Sequence, residues 1–531
     1  MRNKKPVRLP LLLFHSAGDR IAVYLLRLRV QELAIIDLRI DGDLLGEAVV
    51  TAPDGSRLQG CELAGADRLA LAFVADRAGL YRLEIRTTQG EPKLCAATLR
   101  KIVPLAGRRV SLSAPRLESG RIRQLRLELP DRPGALAEFW QQVEADGTPL
   151  LEADPQQPEL TLCTFLWRGG KHVHHVAVRL FCHVAYPNDY QLVRLAGTDV
   201  WYTTVRLPAR SRYAYTLLVN APSLAKPTLA SGEEHRLLYL AVSQADPLNP
   251  RRCYDEPGSR YEAQSLLEMP GAQPYTWCLD RPESRRGKLA GSQFASRLLR
   301  DSRSLAVYTP PDYSQQAGPY GLLLLFDGHW YLSRARAAVI LDNLLAAGKI
   351  PPLVAAFVGN GPGDARSRQL PCNPDLTAFV TEELLPWLGE HYRLTRDPAR
   401  RIIGGASYGG LAAAYTAIMR PDLFGNVLSQ SGSFWWRPPQ AECGEHYIAS
   451  LIISRPLPPL QFYLEAGRGE LGDNGSGYSL LGANRHLRDV LLAKGCPVTY
   501  REYDGGHGFL YWRGTLPDGL TQLTGGWRFK Q

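Results

Sequence analysis

The chain is predicted to be a multidomain protein, with two β-sandwich-like domains ahead of a C-terminal α/β domain built on a mostly parallel sheet with flanking helices. Three observations carry this. Its 531 residues exceed what one ordinary core organises. The hydrophobic rhythm changes near residue 293, from alternation to apolar runs separated by helical patterns. Within that last region a G-x-S-x-G pattern stands between a strand pattern and a helix pattern.

Residues 1–105 form the first predicted module. RIAVYLLRLRV, AIIDLRIDG, RLALAFVAD and LYRLEIRTTQG alternate apolar and polar side chains, and APDGS (52–56) and ADRAG (75–79) supply turns. Period-2 runs at such spacing argue an antiparallel sandwich, similar in layout to small β modules appended to secreted bacterial hydrolases. Residues 120–290 form the second domain. It opens with a helix pattern, GALAEFWQQVEAD (134–146), and continues with strands rich in Tyr, Trp, Thr and Val, among them LTLCTFLWRG, VWYTTVRLP and RYAYTLLVN. In residues 293–531, SLAVYTP, GLLLLFDG, PLVAAFVGN, RIIGGAS, GNVLSQSG, LQFYLEAG and VTYREYDGG read as strands. Helical patterns such as DLTAFVTEELLPWLGEHY and GGLAAAYTAIMR lie between them, which predicts a parallel sheet covered on both faces.

Composition removes several classes. Apolar runs such as LLLLF are far shorter than the roughly 20 residues of a membrane span. The net charge of +10 is spread along the chain with no Lys/Arg run or interleaved aromatic motif, which argues against nucleic acid and leaves a small anionic ligand compatible. Nine scattered cysteines form no CxxC or Cys/His cluster, so no metal site or disulfide framework is expected, and a reducing compartment fits. The start, MRNKKPVRLPLLLF, has an apolar run too short for an ordinary signal peptide. The expected location is cytoplasmic, with the periplasm as the alternative if an export signal was missed.

GGASYGG (404–410) raises the question of a nucleophile. A strand, a tight glycine turn and a helix are the context a nucleophile elbow requires, and this one places Ser407 at a helix N-terminus where a developing anion is favoured. A serine hydroxyl needs a base. His507, between glycines in YDGGHGFLYWR and last in the domain, is the candidate over His329, His391, His446 and His486. The third member should fall between serine and histidine in chain order. Glu470, just beyond the strand LQFYLE, is the expected acid, with Asp473 and Asp504 competing and Glu465 ending the strand itself. The oxyanion hole needs two backbone donors. Tyr408, following the serine, and His329 in FDGHW (326–330) are expected to supply them, although DGHW also reads as an ordinary turn.

With these residues placed, the chain resembles the enterochelin (ferric enterobactin) esterase family from about residue 133 onward. The resemblance is carried by TFLWRG, RLAGTDVW, DPLNP, SLLEMP, LLFDGHW, RQLPCN, SYGGLAAAY, FGNVLSQSGSFWW, LEAGRGE and YDGGHGFLYWR. It implies an esterase D-like α/β-hydrolase domain preceded by its own β domain, acting on the serine trilactone of tris-catecholate siderophores. Ser407, His507 and Glu470 become nucleophile, base and acid. Arg366 falls in the family's R-x-x-E-L-P-C-N stretch and would suit an anionic iron–tricatecholate. Trp435, Trp436 and Trp512 match family tryptophans and would flank catechol rings or pack in the core. No cofactor is implied, since iron would arrive with the substrate. Departures are Gly508 after the histidine where the family has Asp, Gln369 for Glu, and a longer spacer over 471–480. A related hydrolase of another acyl ester or thioester, or a siderophore binder with little turnover, are the alternatives.

Overall fold

The computed structural model describes residues 7–527 except 10, 17–18, 41–44, 64–67, 90–94, 105–118, 171, 181–188, 222–236, 239, 255–263, 440–445, 457–458 and 472–478. The chain divides into two compact units, Met1–Leu180 with Pro187–Ala272, and Gln273–Gln531 with the short segment Phe181–Tyr186. Among the described residues no helix is long and apolar enough to cross a membrane.

The first unit contains both β-rich regions. Its N-terminal part is a pair of antiparallel sheets. One has the order Val7–Arg8, Cys95–Val103, Leu33–Ile40, Arg68–Val74, and the other Leu11–Ser16, Asp19–Leu28, Gly79–Gln89, Leu45–Thr51, Arg57–Glu62. Ala34, Ile36, Leu38 and Ile40 face Tyr24, Leu26, Val50 and Ile85 in one core, as a period of two demands. Leu33 and Ile35 point the other way yet are also fully buried, because they pack with Ala72 and Val103 against Ala177, Leu218, Leu237 and Leu238 of the next domain. That double burial explains why this strand opens on the unbroken run LAII. The following domain joins nine strands, antiparallel throughout, eight in one hydrogen-bonded order and the short Ser243–Gln244 paired to Arg212–Val219 beside it. Helices Gly120–Glu128 and Ala135–Asp146 cover it, burying Ile122, Leu125, Phe139, Trp140 and Val143 against Leu166, Val200 and Tyr202.

The second unit is an eight-stranded sheet: β1 (Lys288–Ser296), β2 (Asp301–Thr309), β3 (Gly321–Phe326), β4 (Leu353–Val358), β5 (Arg401–Ala406), β6 (Asn426–Gln430), β7 (Gln461–Gly467) and β8 (Val498–Tyr503). Their order is β1-β2-β4-β3-β5-β6-β7-β8; the first two strands pair antiparallel and β4, β3, β5, β6, β7 and β8 run parallel. The helices that position the site are α1 (Gly328–Ser333), α2 (Tyr408–Met419), α3 (Leu480–Ala493) and α4 (Phe509–Thr524). Leu322, Leu324, Ile403, Val427 and Phe462 pack under α2 and α3 on one face, while α4 lies over β6 and β7 on the other. Covered on both sides, β3, β4 and β6 are buried at every position, and β5 and β7 at all but their first residue.

Candidate active site

Every expected participant in the chemistry lies just past the C-terminal end of a parallel strand. β5 runs directly into Ser407, whose backbone sits at φ 57°, ψ −120°, a conformation that costs a non-glycine residue roughly 1–3 kcal/mol. Surrounding contacts hold it there. The Ser407 N–H donates to Gln430 O at 3.0 Å, and its carbonyl accepts from Leu411 and Ser433 N–H, both at 3.1 Å. The glycines are clearance: a Cβ on Gly405 would sit 2.6 Å from the Gly409 carbonyl carbon, and one on Gly410 2.4 Å from Ser429 Oγ. Tyr408 is the first residue of α2, so its N–H has no acceptor within the helix.

Glu470 closes a tight turn after β7. Its carboxylate is fully buried and takes the Gly467 N–H on Oε2 at 2.9 Å and the His507 ring on Oε1 at 2.7 Å. The His507 atom engaged is Nδ1, which as donor leaves Nε2 as the acceptor for a proton. His507 is 22% exposed and is braced edge-to-face by the Trp512 ring at 4.9 Å. Of the competing carboxylates, Asp504 pairs with Arg468 at the surface at 2.7 Å, Glu465 is fully buried and bonded to Gln430, Tyr463 and Thr515, and Asp473 lies outside the described residues. Ser407 Oγ makes its hydrogen bond to Ser433 Oγ, at 3.2 Å, and not to the histidine; nucleophile–base contacts are often long before substrate binds.

His329 is the second residue of α1, with an exposed side chain and its N–H in the first helical turn. Trp435 and Trp436 are half-buried, Trp435 against the Tyr408 ring at 6.2 Å. The other two expected substrate contacts, Trp512 and Arg366, both have partners within the protein. Trp512 is 4% exposed and gives its indole N–H to Ser431 Oγ and Tyr503 Oη, both at 3.1 Å, so it supports His507 from the core and presents no face to a ligand. Arg366 pairs with the buried Asp327 through two bonds of 2.7 Å and keeps a quarter of its side chain exposed.

Sequence reasoning passed over the polar network under the site. The Gln430 side chain accepts from Tyr331 Oη of α1 at 2.8 Å and donates to Glu465 Oε1 (2.8 Å), Trp512 O (3.0 Å) and Thr515 Oγ1 (3.0 Å). It thereby ties α1, β6, β7 and α4 together. Burial pushes the Glu465 carboxyl up to about 7. Burial, then the charges of Asp327 and Glu465, hold the Tyr331 phenol well above its ordinary value, so it stays a neutral donor. Nothing in the local sequence marks Gln430, because its partners come from three other elements.

The sheet order, the strained serine after β5 and the turns after β7 and β8 define an α/β hydrolase. The family described as "Putative esterase" matches residues 296–523, and "Enterochelin esterase, N-terminal" matches residues 162–278. The iron(III) enterobactin esterase of Dickeya dadantii is 30% identical over 73% of this chain and 93% of its own length. That of Escherichia coli O6:H1 is 31% identical over 69% and 92%. A crystal structure of the Shigella flexneri enterobactin esterase, determined in the presence of enterobactin, superposes with a TM-score of 0.59 at 28% identity, covering 73% of this chain and 97% of that one. The chain belongs to the enterochelin esterase family.

Proposed function

We propose that this chain is a serine esterase that opens the trilactone of enterobactin-type catecholate siderophores and releases dihydroxybenzoylserine units. The observations that carry the reading are the 2.7 Å Glu470–His507 contact and a strained serine on its own elbow, both past C-terminal strand ends of one sheet, in a chain whose relatives are named for that substrate.

Ser407 Oγ attacks a lactone carbonyl carbon while His507 Nε2 takes its proton, and Glu470 stabilises the imidazolium that results. The carbonyl oxygen becomes an oxyanion held by the Tyr408 and His329 N–H groups. Collapse breaks the C–O bond to the leaving serine alkoxide, which receives the proton from His507. Water, deprotonated by the same imidazole, then cleaves the acyl-enzyme. Trp435 and Trp436 are the aromatic surfaces available to the catechol rings, and iron enters only as part of the substrate.

The test is Ser407→Ala, with products from ferric and apo-enterobactin followed by mass. Loss of turnover by about 10⁴–10⁶-fold is expected. Near-normal lactone hydrolysis by that variant would refute the mechanism, and intact binding with no turnover by the native enzyme would make the chain a siderophore binder.

A further inference from the structure

We infer that Asp327 is a positioning residue for both oxyanion donors, and that Arg366 acts through it and not on substrate. The inference rests on the esterase reading. Asp327 is the residue between β3 and α1, and it is 1% exposed. A buried carboxylate is costly unless fully paired, and this one is: Arg366 Nε and Nη2 and Asn360 Nδ2 all donate to it at 2.7 Å. A planar fork on a carboxylate fixes orientation as well as charge.

What that fixed carboxylate touches gives it a task. Its own backbone is left-handed, at φ 56° and ψ 37°, which turns the chain from β3 into α1 with no intervening loop. Its carbonyl accepts from Trp330 and Tyr331 N–H at 3.0 and 3.2 Å, so the first turn of α1, where the His329 N–H lies, is hung directly on Asp327. Its Oδ2 also lies 3.3 Å from where a Cβ on Gly409 would stand, against the first turn of α2. The Arg366 guanidinium sits 5.4 Å from the Trp330 ring and 5.9 Å from the Tyr408 ring, in contact with the neighbour of one donor and the side chain of the other. The two donors come from different strand ends, and one ion pair touches both elements. Donors must stay about 2.7–3.1 Å from the oxyanion to act, so a shared anchor sets their separation.

The experiment compares Asp327→Asn, Arg366→Lys and Asn360→Ala on two substrates: anionic ferric enterobactin and a neutral p-nitrophenyl ester. A positioning pair predicts that Asp327→Asn lowers kcat about 10²-fold on both, the loss of one oxyanion donor, with KM little changed. Arg366→Lys, keeping the charge and losing the fork, should fall between it and the parent on both. Affinity for an arylboronic acid, a mimic of the tetrahedral adduct, should drop in parallel, a readout that general loosening confirmed by thermal melting would not move selectively. A raised KM confined to the ferric siderophore would overturn the inference and return Arg366 to substrate binding. If Asp327→Asn does not fold, unchanged kcat in both other variants overturns it equally. An active Ser407→Ala would sink the esterase reading and this inference with it, whereas unchanged kcat in the Asp327, Arg366 and Asn360 variants beside an inactive Ser407→Ala would sink this inference alone.

Discussion

Glu470→Gln is the substitution that tests the site most sharply. It keeps shape and volume in a turn where the carboxylate is completely buried. Oε1 can still be an oxygen, but if it faces His507 the amide nitrogen confronts the Gly467 N–H now bonded to Oε2. Two donors then meet without an acceptor. If the side chain flips, its NH₂ meets Nδ1, which must give up its proton, and the proton moves to Nε2, the atom that has to receive one from Ser407. Either orientation costs catalysis. Loss of the correct tautomer in comparable triads is worth about 10⁴ in kcat, or about 5.5 kcal/mol of barrier. The assay is steady-state hydrolysis of ferric enterobactin across pH, alongside Asp504→Asn and Asp473→Asn and with melting curves for each. Glu470→Gln retaining about a tenth or more of the parent kcat, with either of the others crippled, would refute the assignment.

Gly405→Ala places a methyl 2.6 Å from Gly409 backbone; the cost should be at least about 1–3 kcal/mol, read as a lowered denaturation midpoint with activity lost in the fraction that folds. Ser433→Ala frees Ser407 Oγ from its 3.2 Å partner; kcat should rise by no more than the roughly 1 kcal/mol such a bond is worth, and a large fall would show that Ser433 holds the attacking rotamer. Glu465 supplies a pH dependence of stability. Its folded value, about 7, lies above the ordinary 4.5 of a free glutamate, so between those values the native state binds more protons than the unfolded one and stability falls as pH rises. Burial raises Asp518 in the same sense. Melting temperature should therefore decline from pH 5 to 8, and Glu465→Gln should flatten that decline; an unchanged slope would show the carboxyl is not protonated in the fold.

How much of this was legible in the sequence depended on whether the physics was local. Ser407 could be read because glycine clearance, an apolar strand and a helix are neighbours in the chain. His507 stood out by its flanking glycines. Glu470 could not be separated from Asp473 and Asp504 by spacing, since only the folded turn brings Oε1 to the imidazole. Arg366 was legible as a residue, but its pairing with Asp327, 39 positions away, was not. Trp512 likewise shows its indole bonds only once β6 and β8 converge on it. In the first unit, helix Gly120–Glu128 was missed because only Ile122 and Leu125 of its nine residues are buried, too few to print a helical period.

The strand Leu33–Ile40 has a bearing on how such a chain can be divided. With Leu33 and Ile35 lodged against Ala177, Leu218 and Leu238, the N-terminal sandwich is cladding bolted to its neighbour, not a cargo on a tether. Chimeras that graft it onto a shorter esterase, or trim it away, inherit an oily seam that must first be repainted with polar side chains. A change of side-chain volume on one side of that seam opens a gap or a clash on the other, so the two sheets share one packing constraint.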